Sequence, residues 1–364
     1  MKKTLKSILA LALSAALCLS VAGCSQSSST TSTNSAVNST ANAITDSSSQ
    51  ANSKPVAQVV MKVSVGVADT HFEAIAVNKM KEYVEEKTSG TLKMEIFPSA
   101  QIGNDQEVFE GLKLGVAQML PCGVDIISNF SKNFGLLSLP YLFDNEEQVK
   151  EVTQGEFGQA ILADLDKIGY VGLGFGNFGF RHITNNKHPI KSVSDLKGLK
   201  IRTMTTPIHL EVFEALGANP TPMAFSELFS ALQQGVVDGQ ENPLMNIYSN
   251  KLNEVQNYLT LDGHVYSLVA FVVSKDWYNK LDPSHQEALH EGIAIAQQYM
   301  AEACTSEDEL ALTKMKEAGM EVVELSEGEK DEFRQATEAV REKYGNSINP
   351  ERYHQLLDAI AATK

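Results

Sequence analysis

Cysteine is scarce, with four in 364 residues. Cys18 lies inside an apolar leader and Cys24 at its end, so Cys122 and Cys304 alone remain for the body of the chain. Two cysteines so far apart give no disulfide framework and read as small buried apolar residues. The eight histidines show no H-E-x-x-H spacing and no grouping with cysteine, which leaves a zinc site without support, and no cofactor is expected. Basic residues are in deficit, 30 against 45 acidic ones for a net charge of −15; nucleic-acid binding needs a basic face and is disfavoured. The G-x-S-x-G elbow is missing, and Ser194-x-x-Lys197 stands without companion motifs and reads as a turn. Paired acids such as Asp105 and Glu107 could do acid/base work only if a cleft brought them to a substrate, which nothing in the sequence demands. The longest apolar run, Ile8 to Ala22, is shorter than the roughly 20 residues a spanning helix needs.

That run follows Lys2, Lys3 and Lys6 and ends in Val21-Ala22-Gly23-Cys24, the pattern of a secretory signal over residues 1–23. Small residues before a cysteine resemble a bacterial lipobox, in which Cys24 becomes a lipidated N-terminus; an ordinary signal cleaved near Ala22 is the alternative. From Ser25 to Ala57 the chain is mostly Ser, Thr, Asn, Ala and Gln, too polar to bury a core, so residues 24–57 read as a lipid-anchored tether. The leader takes three of the 30 basic residues, leaving 27 against the 45 acids.

The remaining 300 or so residues are more than one core usually serves and suggest two lobes. Strand and helix patterns alternate: a strand over Val59–Val67, a helix from Thr70 to Gly90, a strand at Leu92–Ile96, a helix over Asp105–Leu114, a strand over Val116–Pro121 and an interrupted helix from Asp144 to about Ile168. This order indicates an α/β fold with mainly parallel sheets. Asp282-Pro283 opens a stretch without further proline that reaches Gly319, which as one helix would be about 50 Å long and could lie across both lobes. The boundaries this suggests are residues 58–178 with 268–307 for the first lobe and 179–267 with 308–364 for the second.

Gly174, Gly176 and Gly179 in GFGNFGFRHITN make a G-x-G-x-x-G pattern. A dinucleotide site needs those glycines to close a strand and open a helix; here β-prone Phe180-Arg181-His182-Ile183-Thr184 follows, so the glycines read as a close, hinge-like backbone crossing. Arg181 then stands on a strand leaving the crossing, and Arg202 ends GLKIR. Each is either a lobe-tying ion pair or a bidentate carboxylate clamp.

GLKIR (198–202), NPTPMAFSELFSALQQGVVDGQENP (219–243) and FPSAQIGND (97–105) resemble the solute receptors of tripartite ATP-independent periplasmic (TRAP) transporters, the DctP type, and the similarity runs from Val59 onward. The resemblance implies a two-lobed, periplasmic-binding-protein-like α/β fold with a central cleft, a long helix spanning both lobes, and closure on an organic acid delivered to a membrane permease. It implies that Arg202 clamps the ligand carboxylate, that the Asn242 amide braces it, that Arg181 is a second arginine near the ligand and that Phe225 forms an apolar wall. Asp105 falls near a polar contact position. Glu73 lies near a binding position, though Thr70-x-x-Glu73 is equally a capping box; His71 in the same loop is either a ligand contact or an exposed histidine. Gly123 stands where sialic-acid receptors carry a glutamate, which argues against sialic acid.

Two arginines and an amide suit C4-dicarboxylates, sugar acids and keto acids alike. Glu73, Asp105 and His71 tip the expectation toward a hexuronate or hexonate, since they offer partners to hydroxyls and would repel a second carboxylate. The expected setting is extracytoplasmic, anchored by lipid at Cys24, with TRAP permease subunits as partners. The alternatives are a ligand-sensing lipoprotein that partners a signalling receptor and a secreted enzyme acting on a small acid.

Overall fold

A computed structural model describes residues 58–363; Cys24, the leader and the tether lie outside the described residues. Ten strands form two sheets that share one strand. The first sheet contains β1 (Val59–Ser64), β2 (Leu92–Phe97), β3 (Met119–Gly123), the first half of β4 (Tyr170–Asn185) and β9 (Tyr266–Ser274), in the order β2-β1-β3-β9-β4. The second contains β5 (Lys200–Thr203), β6 (Asn219–Pro222), β7 (Gly239–Pro243), the far half of β4, β8 (Tyr258–Leu261) and β10 (Glu321–Glu324). β1 runs parallel to β2 and β3, β5 runs parallel to β6 and β7, and β4 and β9 are antiparallel to their partners in both sheets.

The two lobes repeat one local solution. In the first, the Gln118 backbone N–H donates to Lys62 O at 2.8 Å while the Lys62 N–H donates to Gln118 Oε1 at 2.7 Å. In the second, Asp238 N–H reaches Lys200 O at 2.8 Å and Lys200 N–H reaches Asp238 Oδ2 at 2.9 Å. Each clasp ties the first strand of a lobe to the start of its third, so the carboxyl ends of the parallel strands, where ligands of open α/β sheets bind, are held in the same frame. All nine residues of β9, YSLVAFVVS, are buried, which is why this stretch reads as a continuous apolar run without alternation.

The long helix spans Pro283–Glu317. Gly292 lets it approach the first helix (Phe72–Lys87), where an added Cβ would lie 2.7 Å from Val84. Farther along, Asp308 Oδ1 accepts from Met245 N–H of the second lobe at 2.8 Å. Its buried face of Leu289, Ile293, Ala296, Met300, Ala303, Cys304, Ala311 and Met315 joins one apolar cluster with Val63 and Phe72 of the first lobe and Leu228 and Leu259 of the second. Among the described residues no helix is long and apolar enough to cross a membrane.

Several local expectations change. β4 runs unbroken for 16 residues with register shifts at Gly172/Phe175 and Asn177/Gly179, and no helix follows its glycines. The long helix accounts for two of them: a Cβ at Gly176 would sit 2.7 Å from Met300 Sδ, and Gly179 combines φ +106° with a 3.0 Å approach to Asp308. The helix expected from Asp144 to Ile168 is Glu146–Gln154, Glu156–Ala163 and a 3₁₀ turn, Asp164–Ile168, capped by Asn145. At the first helix the cap is His71, whose Nδ1 accepts from Glu73 N–H at 3.1 Å, so Thr70 is not the capping residue. The C-terminal helix Pro350–Ala361, grouped with the second lobe from sequence, packs through Tyr353, Leu356 and Ile360 into the cluster of Phe109, Val149 and Ile161 in the first.

Candidate functional site

A cleft of about 390 Å³ lies between the lobes, walled on one side by Glu73, Asp105 and Asp125 and on the other by Arg181, Arg202, Phe225 and Asn242. The geometry brings six of the seven candidate side chains to one cavity. His71 is the exception and does not line it.

Arg202 comes from β5 and is 2% exposed. Its Nε and Nη2 donate to the Met223 carbonyl at 3.1 and 2.8 Å, and its guanidinium lies 5.9 Å from the centroid of the Phe225 ring, a cation–π approach. It forms no ion pair among the described residues. Burial, reinforced by Arg181 and opposed by Glu241, pulls its pKa down to about 10, which still leaves the group charged at neutral pH. A desolvated cation without an acid carries an uncompensated electrostatic cost.

Arg181, on β4, has its needs met inside the protein. Its Nε and Nη2 grip the Glu241 carboxylate, Nη2 at 2.9 Å from Oε1, and Nη2 also donates to Glu241 O at 2.6 Å and Asn242 Oδ1 at 3.2 Å. Nη1 donates to Ser267 Oγ at 2.8 Å. The register explains the pairing: Arg181 faces Pro243 across the β4/β7 ladder, so Glu241, two residues along, projects on the same face. Glu241 also accepts from His264 Nε2 at 3.0 Å, and His264 Nδ1 lies 2.7 Å from Asp262 Oδ2. Burial opposes charge on both groups. Even so, Arg181 and His264 hold Glu241 well below the usual carboxylate range, and Asp262 and Glu241 raise His264 to about 9. The row Arg181–Glu241–His264–Asp262 is therefore a buried, alternating, paired set of charges.

Asn242 Oδ1 is shared by Arg181 and Asn246 Nδ2, the latter at 2.7 Å, and its amide nitrogen donates to Gln240 Oε1, which fixes the orientation of the amide at the cleft. On the opposite wall Glu73 is 2% exposed, and its carboxyl makes no hydrogen bond or ion pair among the described residues. Burial, then the neighbouring Asp105, pushes its pKa well above the usual range. Asp105, only partly exposed, is raised to about 6 by burial; glycine at 66 makes room for it, since a Cβ there would lie 2.6 Å from its Oδ1. His71 sits behind this wall, fully buried and stacked 4.9 Å from Phe178. Burial lowers its pKa to about 3, so the exposed histidine anticipated from sequence is instead a neutral, capping ring that positions Glu73. Among the described residues no group of three or more His, Cys, Asp or Glu is arranged to hold a metal.

Sequence reasoning missed Glu241, His264, Asp262 and the pair Asp125–His209. One signal was available: an acid inside the buried strand of QENP needs a charged partner, and Arg181 is the cation its register provides.

Residues 63–347 match the family model described as bacterial extracellular solute-binding protein, family 7. The C4-dicarboxylate-binding periplasmic protein DctP of Rhodobacter capsulatus is 34% identical over 312 residues, covering 83% of this chain and 91% of that one. The 2,3-diketo-L-gulonate-binding periplasmic protein YiaO of Escherichia coli strain K12 is 32% identical over 272 residues, 75% and 83% of the two chains. The crystal structure of the sugar acid binding protein DctPAm from Advenella mimigardefordensis in complex with galactonate superposes with a TM-score of 0.83 at 33% identity, covering 85% of this chain and all of that one. The matched family model, the identity to these relatives and the superposition over the whole of a solved receptor lead to one conclusion: the chain belongs to the bacterial extracellular solute-binding protein family 7, as a DctP-type TRAP receptor for organic acids.

Proposed function

We propose that this receptor takes a sugar acid with a single carboxylate, a hexonate or hexuronate, outside the membrane and hands it to a TRAP permease while tethered through lipidated Cys24. The observation that carries the ligand class is the arginine count. Arg181 and Arg202 are the basic side chains among the residues lining the cleft, and Arg181 is committed to Glu241. One free guanidinium suits one carboxylate, bound bidentately, with the Asn242 amide beside it. The facing wall offers Glu73 and Asp105, carboxyls raised toward the neutral form, which donate to and accept from hydroxyls and supply no cation for a second carboxylate.

The relatives named above include binders of sugar acids and of C4-dicarboxylates, so the decisive comparison is between D-galactonate and D-glucuronate on one side and succinate on the other. A ligand at about 1,000 times its dissociation constant adds about 4 kcal/mol of stability, which a thermal-unfolding titration reads directly. The expected outcome is a shift with the sugar acids and little with succinate. A succinate shift larger than any sugar acid's would replace this reading with a dicarboxylate one.

A further inference from the structure

His209 lies outside the row of charges described above, yet it touches both lobes. It is 1% exposed on the helix Pro207–Ala215, between β5 and β6. Its Nε2 is 2.8 Å from Oδ1 of Asp125, which belongs to the short helix Val124–Ile127 directly after β3 of the first lobe. Its Nδ1 is buried without a hydrogen-bond partner among the described residues and lies 4.0 Å from Glu241 Oε1. Two further contacts join the same elements: Asn129 Nδ2 donates to Thr205 O at 3.2 Å, and Gly135 is a glycine where a Cβ would come within 3.0 Å of Ile208. The first-lobe segment 125–135 is thus seated on the second-lobe segment 205–209 beneath the cleft.

The unpartnered nitrogen is the informative atom. Glu241 Oε1 accepts from Arg181 Nη2 at 2.9 Å. An anion docked on Arg202 adds negative charge beside Arg181, whose Nη2 also donates to Asn242 Oδ1 at 3.2 Å, and loosens that guanidinium's hold on Glu241; the ring nitrogen of His209 is about one ångström from hydrogen-bond distance to the same oxygen. With Nε2–H donating to Asp125, the second bond requires a proton on Nδ1, supplied by solvent. The ring then donates to a carboxylate of each lobe. We infer that His209 is a positioning residue that couples anion binding to lobe closure, by joining Glu241 behind the arginine to Asp125 on the first lobe when the cleft is occupied. This rests on the organic-acid reading above. Asp125 takes part because its carboxyl, pushed up by burial, is held below its ordinary range by His209 and then Arg181.

The test uses the mature chain with D-galactonate and succinate as probes. His209→Gln keeps a donor for Asp125 but cannot reach Glu241. It should fold with an unfolding temperature close to the parent's, release the bound probe about tenfold faster and leave association within about twofold, since closure acts on the dissociation rate. Unchanged dissociation, or a loss confined to association, would overturn the inference. Binding of neither probe by the parent would count against the organic-acid reading alone, so a ligand-free arm is included. Arg181→Lys withdraws the guanidinium fork from Glu241, and in ¹⁵N-histidine-labelled protein a hydrogen-bonded Nδ1–H signal of His209 should then appear. A His209 ring spectrum unmoved by Arg181→Lys would sink the coupling whatever the ligand.

Discussion

Arg181 and Arg202 are both buried, both on strands and both at one cavity, yet they are opposites. Arg181 sits at the end of a row in which every charge has a counter-charge: Glu241, then His264, then Asp262. Arg202 has a carbonyl and an aromatic ring but no acid. The same residue type therefore performs two tasks on the two strands that flank β7. A paired buried charge fixes the shape of the crossing between lobes, whereas an unpaired one keeps electrostatic free energy in reserve for an anion that arrives later.

The largest effect should come from breaking the unpaired member. Arg202→Ala is expected to weaken binding of a sugar acid by several hundredfold or more, the loss of a desolvated bidentate contact of about 3 to 5 kcal/mol. Arg202→Lys should lose most of this, because a point charge does not reproduce the fork. Unlike most losses at a binding site, Arg202→Leu should leave the ligand-free protein equally or more resistant to urea, since it removes a buried charge that no acid pairs with among the described residues. Calorimetry together with urea unfolding separates the two quantities, and a large drop in ligand-free stability would show that Arg202 is structural after all.

Breaking the paired member should invert that pattern. Arg181→Ala removes the bidentate partner of Glu241, which is fully buried, leaving it with His264, and should cost about 3 kcal/mol of folding stability in the absence of any ligand. Equal ligand-free stability of Arg181→Ala and the parent would remove the distinction between the two arginines.

The paired row also carries a pH signature. His264 is held at about 9 against an ordinary 6.5, so its contribution is fully present below pH 6.5 and is lost as pH rises through 9, by no more than about 3 kcal/mol. Urea midpoints should decline across that window in the parent and flatten in His264→Gln. A parent profile level from pH 6.5 to 9 would mean that His264 is not held as an imidazolium.

Much of this was legible in the sequence, and for stated reasons. Alternating periods and the Asp282-Pro283 start led to the α/β class and the long helix, and the resemblance of GLKIR to the receptor family marked Arg202. Less legible was anything that depends on what a side chain meets across sequence distance. His71 looks like an exposed loop residue until Phe178 is stacked on it; the glycines of β4 look like a phosphate loop or a hinge until the long helix presses on Gly176; and Pro350–Ala361 has no local mark of which lobe it joins. His209 and Asp125 were invisible because a single histidine and a single aspartate 84 residues apart announce nothing until the helices that carry them are brought together.

The smallest expected effect sharpens the comparison from the other wall. Asp105 has its folded value near 6 against an ordinary 3.8, raised by burial, so the native state favours its protonated form: the associated stability is present below about pH 3.8 and lost as pH rises through 6. Because the group keeps partial access to solvent, the cost above pH 6 should be only about 1 kcal/mol. Asp105→Asn should therefore be more stable than the parent at pH 8, indistinguishable from it near pH 4, and within about tenfold of it in sugar-acid affinity, because the amide still donates to and accepts from a hydroxyl. A variant less stable than the parent at pH 8 would mean that Asp105 has a cationic or donor partner in solution. It would then belong with Arg181 among the satisfied charges, and Arg202 would face a wall with one free acid, Glu73, instead of two.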